Sequence, residues 1–534
     1  MDMGASDRRH QTVRSMTTAL EQNRKMLNEG LDQDKPIIAR RQLGQFSTPF
    51  TLATDIASFG LKFLENSQFI SFLDPAFGMG VFYSALLGVN CKMPIIKAKG
   101  IEIDEHYGLP SRSFWSQHDV ELLLGDFTKI EPEAKFNLII CNPPYVRHHN
   151  IESNEKKRLI ERTERISGER LSGLAGLYCH FMLQSFAWLA DGGIAGWLVP
   201  SEFLDVNYGI AVKRFLLSKV ELLHIHRFSH KDLQFNDALV SSAVVLFRKA
   251  IPNHGSKVIF SFGGQLSSPE SLTSVCRNEL REEQKWSNIP LVDDVNPQPN
   301  VLRLCDFFTV KRGIATGNNK FFIIDEDTMQ RHGLPHEMFI PILPAARHLD
   351  QDEVLSDTKG DPVLMKRHYL LYCNLHEEEI AKKYPELWKY LEIGRKTVAS
   401  GYLCRTRKLW YQQEHRAAPI FACTYMGRKS NKRNTFRFIL NHSNATVANT
   451  YLALYPKPAL EAAFRQEPAL IKAVWEILKG IDPQSMACEG RAYGGGLWKI
   501  EPKELLNVPV PQMADLGLPY MEMPGAWSQQ SFQA

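Results

Sequence analysis

The 534-residue chain has almost no excess of charge of either sign: 63 Lys and Arg against 59 Asp and Glu leave a formal net charge of +4. A polyanionic partner therefore cannot be argued from the overall balance, only from a local cluster. The nine cysteines include no Cys-x-x-Cys and follow no regular spacing, which excludes a disulfide framework or a cysteine-rich zinc module and suits a reducing compartment. No stretch approaches the roughly 18 uninterrupted apolar residues of a membrane-spanning helix. The first 27 residues carry charge without the apolar core of a signal peptide, so a soluble, cytoplasmic protein is expected. The C-terminal part, from about Val301, carries no internal repeat. What is present is ordinary globular composition, 44% hydrophobic and 23% charged, with enough apolar surface for more than one core. At about 150 residues per domain, the length predicts two to four domains.

Residues 1–40 are polar and helix-prone, and Pro36 closes them, so a helical arm is expected there. Over residues 41–250, short apolar runs ending in Gly, Asp or Asn alternate with helical patterns, the signature of βαβ units in a parallel sheet. Strands are expected at 68–74, 99–104, 121–126, 136–142, 193–200, 220–228 and 239–248, with helices at 81–88, 177–190 and 208–219. The last two strands are too close for a helical crossover and predict a closing antiparallel pair. Residues 251–300 turn Ser-, Pro- and Asn-rich and read as a linker and loose outer segment. A second domain is expected over 301–520, without βαβ alternation, and a frayed tail over 521–534.

The first expected strand runs into Asp74-Pro75-Ala76-Phe77-Gly78-Met79-Gly80. Glycines at a strand-to-helix turn let backbone approach a ligand, and an acidic residue ending the next strand can hold ribose hydroxyls. Glu102 stands at that place, 24 residues beyond Gly78. The spacing departs from G-x-G-x-x-G, and the negative Asp74 suits a cationic cofactor better than a pyrophosphate, which disfavours NAD. Alone, these glycines also fit an ordinary tight turn. A third acidic strand end, Gly125-Asp126-Phe127, adds a carboxylate that can accept from an adenine amine and a ring that can stack on the purine. Three acidic ends on one sheet edge imply a nucleoside-containing ligand.

The fourth strand ends in Asn142-Pro143-Pro144-Tyr145. Two prolines stiffen the loop and leave its carbonyls free to accept. The Asn142 oxygen and the Pro143 carbonyl can both accept from one NH₂ group, which favours its pyramidal form and turns its lone pair toward an electrophilic methyl. Tyr145 supplies a flat surface for a planar substrate. Cytosine C5 chemistry would need a thiolate, but Cys141 lies within a strand, where a small buried hydrophobe is the plainer reading. His224 and His226 alternate along a strand without a supporting Cys or carboxylate cluster and read as ordinary strand histidines, with no metal site expected.

In these parts and their order, residues 41–249 resemble the gamma-class N6-adenine DNA methyltransferases of type II restriction-modification systems. The matching segments are Gln45-Phe46-Ser47-Thr48-Pro49, DPAFGMG, GIEID, GDF and NPPY. The resemblance implies an α/β, Rossmann-like, seven-stranded S-adenosylmethionine-dependent domain followed by a C-terminal mixed α+β target-recognition domain that binds DNA. It assigns the cofactor to Ser47, Thr48, Pro49, Asp74, Ala76, Gly78, Gly80, Glu102, Ile103, Asp126, Phe127 and Asn142. It assigns catalysis on a flipped adenine to Asn142, Pro143, Pro144 and Tyr145, with Phe235, in the loop before the last strand pair, flanking the base. It also implies duplex DNA as partner, a cognate endonuclease as a separate protein, a bacterial or archaeal cytoplasm, and a monomer or weak dimer. The alternatives are the same tetrad acting on RNA or on a protein glutamine amide, or a non-catalytic DNA-specificity subunit.

Extruding a base costs a few kcal/mol that protein contacts must offset, so a DNA-gripping surface is expected. From Arg405 to Arg437 nine Lys and Arg face a single acid, Glu414, with aromatics interleaved, a local basic footprint within a neutral total. The DNA-facing candidates there are Arg405, Arg407, Lys408, Arg428, Lys429, Lys432 and Arg433. Thr309–Phe322 resembles the opening of the family's target-recognition regions and adds Lys311, Arg312, Thr316, Asn318 and Lys320; Tyr493–Pro502 resembles their end. Arg147, just after the tetrad, faces DNA or is part of a solvated basic turn with His148 and His149.

Overall fold

The computed structural model describes residues 3–64, 67–89, 93–229, 241–253, 255–291, 301–428, 435–493 and 497–516, with side chains from residue 18 onward except at 290, 291, 484, 487, 488, 492 and 493. The chain divides into two compact units between Val295 and Asn296. In the first, the elements in chain order are α1 (Met3–Asp34), α2 (Ile37–Gln42), α3 (Phe50–Lys62), β1 (Ile70–Asp74), α4 (Val81–Gly88), β2 (Ile95–Glu102), α5 (Glu105–Phe114), β3 (Glu121–Leu124) and β4 (Phe136–Cys141). There follow α6 (Ser153–Ser167), α7 (Leu177–Gln184), β5 (Leu189–Pro200), α8 (Ile210–Ser218), β6 (Glu221–Arg227), β7 (Ser242–Arg248), β8 (Lys257–Gln265) and β9 (Ser268–Cys276).

All nine strands form one sheet in the order β3-β2-β1-β4-β5-β7-β6-β8-β9. Strands β1 to β5 pair in parallel, and β7 enters antiparallel between β5 and β6, so the short final connection does close an antiparallel pair. Both faces are covered, which is why the strands read as continuous apolar runs. Phe72, Leu138, Ile140, Leu198 and Val244 pack under α3 and α4. Their strand neighbours Leu73, Ile139, Trp197, Val199 and Val245 pack with α7 and α8 on the other side. The order reverses at β1 and β4, and ligands of such sheets bind outside the carboxyl ends at that switch point.

Two expectations change. The segment expected as a linker and outer segment contributes β8, parallel to β6, and β9, antiparallel to β8. Its Val258, Phe260, Val275 and Trp286 belong to the core, so seven strands become nine. The helix expected to reach residue 190 ends at Gln184 in a 3-10 turn, and β5 starts at Leu189, since Gly192 in the left-handed region (φ +75) suits a bulged strand entry and no helix. The N-terminal arm is docked on the sheet domain: the Ser84 hydroxyl donates to Glu21 at 2.6 Å, and Glu21 is paired with Arg24 at 2.7 Å.

The second unit is mixed α+β, as expected. Its five-stranded sheet runs Phe308–Arg312, Tyr451–Pro456, Phe421–Thr424, Phe438–Asn441 and Glu353–Val354. Two three-stranded sheets accompany it. Helices Pro458–Gln466 and Ala469–Lys479 lay Phe464, Val474 and Trp475 on its apolar face. Among the described residues no helix is long and apolar enough to cross a membrane.

Candidate active site

The carboxyl ends of β1 to β4 line one edge of the sheet. Asp74 pairs with Gly100 and Glu102 with Leu124, so successive acidic ends step along that edge. Asp74 is 1% exposed, and its Oδ1 accepts from the Ala76 amide at 3.1 Å. Burial pushes its carboxyl up to about 7, opposed by the Ala76 N–H and the Cys141 thiol and assisted by the nearby Glu102 charge. Glu102 accepts from the Gly78 and Asp104 amides, both at 2.8 Å. Burial raises its pKa while those two N–H groups lower it.

The two glycines of the first loop differ. Gly78 (φ +52) faces open space, since a Cβ there would meet nothing within 4 Å, whereas a Cβ on Gly80 (φ +76) would come within 2.5 Å of the Phe77 ring and 2.7 Å of Trp115 Nε1. Gly78 thus leaves room for a ligand, and Gly80 is required by packing at the entry to α4. Beside Glu102, Ile103 is 64% exposed, an apolar side chain open at this edge. Asp126 Oδ1 accepts from the Thr128 amide and hydroxyl at 2.9 and 2.7 Å, and its Oδ2 faces Lys129 at 3.4 Å. Phe127 corrects an expectation: its ring packs against Phe181 and Trp188 in the core, so it does not present a stacking face on the sheet edge.

At the end of β4 the tetrad is held from outside its own strand. The Asn142 amide donates to the Phe46 carbonyl at 3.1 Å and to Thr48 Oγ1 at 3.0 Å. A carbonyl can only accept, so the nitrogen must lie on that side and Oδ1 on the other. Oδ1 is buried and has no hydrogen-bond partner among the described residues. The Pro143 carbonyl likewise receives no backbone hydrogen bond there. Tyr145 is pinned at both ends: its amide donates to the Gly44 carbonyl at 2.9 Å and its hydroxyl to the Leu198 carbonyl at 3.1 Å. Gly44 (φ +66) must be glycine here, because a Cβ would fall 2.3 Å from the Tyr145 nitrogen. The Tyr145 ring is 8% exposed and lies 5.6 Å from that of Phe46, a more enclosed face than the sequence suggested.

Sequence reasoning placed Thr48 only on the cofactor and missed Gly44 and Phe46 as supports of the tetrad. The sole local signal was a glycine four residues before Thr48-Pro49. Cys141 is fully buried, and desolvation beside Asp74 raises its thiol pKa well above the ordinary value, which leaves no thiolate for C5 chemistry. His224 and His226 share the Ser261 hydroxyl at 2.6 and 2.8 Å. Burial pushes His224 down to about 3. Among the described residues no group of three or more His, Cys, Asp or Glu is placed to hold a metal. Phe235 lies outside the described residues.

In the second unit the basic candidates separate by what they touch. Lys311, Arg312, Lys320, Arg405, Lys408 and Arg428 are exposed, with the Arg312 guanidinium 4.3 Å from the centre of the Tyr425 ring. Arg407 turns inward and donates to the Ala315 and Thr316 carbonyls at 2.7 and 2.8 Å. Thr316 is buried and donates to Asn319, while Asn318 caps helix Asn319–Phe322. These three, expected to face DNA, instead build the loop that presents Lys311 and Lys320. Arg437 donates to Asp352 and to the Ala346 and Gln351 carbonyls, and is likewise internal. Lys429, Lys432 and Arg433 lie outside the described residues. In the first unit, Arg147 is exposed next to the tetrad.

Comparison with known proteins extends this picture. Type II methyltransferase M.AccI of Acinetobacter calcoaceticus is 26% identical over 503 residues, spanning 90% of this chain and 86% of that protein. Type II methyltransferase M.XamI of Xanthomonas campestris pv. amaranthicola is 27% identical over 461 residues, spanning 83% and 81%. Among solved structures, the type IIL restriction-modification enzyme MmeI in complex with DNA aligns over 82% of this chain with 13% identity and a TM-score of 0.49, and the chain spans 62% of that enzyme's length. Residues 106–234 match the Eco57I restriction-modification methylase family, and residues 285–523 match the C-terminal domain of type II methyltransferase M.Eco57I. Each unit thus resembles its own part of the Eco57I-type restriction-modification methylases, and the chain as a whole is similar to type II DNA methyltransferases of restriction-modification systems.

Proposed function

We propose that this chain methylates adenine at N6 within a specific duplex DNA sequence, using S-adenosylmethionine, and that the target base leaves the helix to react. The observation that carries this reading is Asn142. Its nitrogen is committed to Phe46 and Thr48, so Oδ1 is the outward acceptor, buried and unpaired. An unpaired buried acceptor costs about 1–3 kcal/mol, and an exocyclic amine is a donor that would remove that cost. With the Pro143 carbonyl taking the second N–H, both acceptors draw the amine out of conjugation and point its lone pair away from the ring. Such fixed dipoles act chiefly in the transition state. Tyr145 walls the base, and Phe235 is proposed to flank it.

The donor set on the sheet edge fits a nucleoside carrying a positive charge. Glu102 suits ribose hydroxyls, Ile103 a purine face, Asp126 an adenine amine, and Asp74 a cationic centre, with Gly78 leaving room above the loop. When bound, S-adenosylmethionine would supply an electrophilic methyl on a sulfonium. The chain's own contribution is to fix the amine and to keep water away. The names of M.AccI and M.XamI place those relatives among type II methyltransferases, which favours a cognate endonuclease on a separate chain. Lys311, Arg312, Lys320, Arg405, Lys408 and Arg428 are the proposed phosphate contacts.

Asn142→Ala tests the reading. Methyl transfer to duplex DNA should fall at least about a hundredfold, with binding of S-adenosylhomocysteine within about twofold of wild type. Nucleoside analysis of the modified DNA should show N6-methyladenine. Transfer at the wild-type rate, or label in RNA or a glutamine amide in its place, would sink the assignment.

A further inference from the structure

The last turns of α1 reach two segments that the proposed chemistry needs but that are far apart in sequence. Toward the tetrad, the Ser47 hydroxyl donates to Asp32 Oδ2 at 2.7 Å and accepts from Asn28 at 3.0 Å, and Lys35 donates to Gln45 Oε1 at 2.9 Å. Toward the cofactor edge, the Tyr107 hydroxyl donates to Asp32 Oδ1 at 2.8 Å, and His106 Nε2 bonds the Leu31 carbonyl at 2.8 Å. Lys35 is ion-paired with Asp104, and Gln45 also donates to Asp104 at 2.7 Å. Asp32 therefore spends one carboxylate oxygen on each segment, and Lys35 bridges the same gap a turn later.

Both segments end on the reacting groups. The Gln45–Thr48 segment supplies the Phe46 carbonyl and Thr48 hydroxyl that orient Asn142. The Asp104–Tyr107 segment begins at the amide that donates to Glu102, whose other oxygen holds Gly78. The Asp104 carboxyl is held below its ordinary pKa by Gln45, Lys35 and the His106 amide, against the effect of its burial. This bridge is thus charged and of low exposure, with the Lys35 and Asp104 side chains 15% and 18% exposed. Hydrogen bonds to such charged groups are worth more than neutral ones.

We propose that the end of α1 is a clamp, with Asp32 and Lys35 as positioning residues that lock the cofactor-holding edge and the Asn142 corner into one rigid frame. The inference rests on the proposed methyl transfer for its catalytic consequence and on the hydrogen-bond geometry alone for its mechanical one. Neither residue touches the reacting atoms; each acts through Ser47, Gln45, Asp104 or Tyr107.

The full-length Asp32→Ala variant tests it, with Ser47→Ala as a milder companion that leaves the helix intact. Loss of hydrogen bonds to a charged group should weaken S-adenosylhomocysteine, measured by calorimetry, about tenfold. It should lower kcat at saturating cofactor and DNA by a similar factor while leaving DNA affinity unchanged. Asp32→Asn, which keeps an acceptor, should recover part of both losses. In the ligand-free protein, amide hydrogen exchange should quicken at both 45–48 and 104–107. A variant with a lower melting temperature but wild-type kcat and cofactor affinity, or with exchange quickened in the helix or one segment alone, would overturn the clamp. If wild type proves not to methylate adenine, the functional reading fails, while the exchange pattern still decides the clamp.

Discussion

Replacing Asp74 by Asn should change how the first unit responds to pH in a direction fixed by burial. An aspartate ionises near 3.9 in an unfolded chain, and in the fold desolvation pushes this one up to about 7. The native state therefore holds a proton that the unfolded state releases. Its contribution to stability is fully present below the unfolded pKa and is lost as pH rises through the folded one. A rise of about three units at about 1.36 kcal/mol each corresponds to roughly 4 kcal/mol lost between about pH 4 and pH 7. Asn cannot ionise, and its oxygen can still accept from the Ala76 amide. The variant should therefore gain on wild type with increasing pH, by about 1.4 kcal/mol per unit in that window. Amide hydrogen exchange in β1 and β4 across pH 5 to 8, corrected for intrinsic exchange, reports the unfolding free energy of this unit alone. The same protonation predicts that cofactor binding at pH 6 releases close to one proton from wild type and none from the variant, visible in calorimetry in two buffers of different ionisation enthalpy. Parallel stability profiles for the two proteins, or equal proton release, would refute the reasoning.

Cys141→Ala should keep methyl transfer within a few-fold of wild type and cost about 1–2 kcal/mol of stability, because the thiol fills space beneath Asp74 and donates a weak hydrogen bond to its carboxyl without reacting; loss of activity with stability intact would restore a chemical role. Gly80→Ala should destabilise by about 1–3 kcal/mol through its left-handed backbone and the clash with Phe77 and Trp115, read as a lower melting temperature. Arg437→Ala should cost about 1 kcal/mol of stability in the second unit, by losing its hydrogen bonds to the Ala346 and Gln351 carbonyls and its ion pair with the exposed Asp352, and leave DNA affinity unchanged. Arg405→Ala or Lys408→Ala should do the reverse, lowering the salt dependence of DNA binding by about one counterion each.

Much of the sheet was legible because strands buried on both faces must be apolar throughout, and runs such as Ile70–Asp74 and Phe136–Cys141 have few other fates. The acidic and Asn ends were legible for the complementary reason, that a polar residue closing such a run must sit at the sheet edge. Strand β9 was not: Ser268–Cys276 alternates small polar residues with exposed positions, and only pairing with β8 makes it a strand. Phe127 was misassigned because a residue's place beside an acidic strand end says nothing of which way its ring turns, and the space between Phe181 and Trp188 decided that. Thr316 and Arg407 looked like DNA contacts because basic and hydroxyl residues in a loop carry no mark of being inward. The second unit stayed vague because its strands are two to six residues long, too short for a period to emerge. The supports of Asn142 were hidden by distance, since the groups that orient it lie 94 and 96 residues earlier.

That distance has a practical consequence for engineering. The four-residue tetrad is not a portable cassette: grafted with its strand onto another scaffold, it would leave behind Gly44, Phe46 and Thr48 and arrive with its amide free to spin. Any transplant or split-enzyme scheme must carry the stretch ahead of α3 along with β4, and a redesign that shortens the leading segment removes half of the socket while every signature motif still scans as intact.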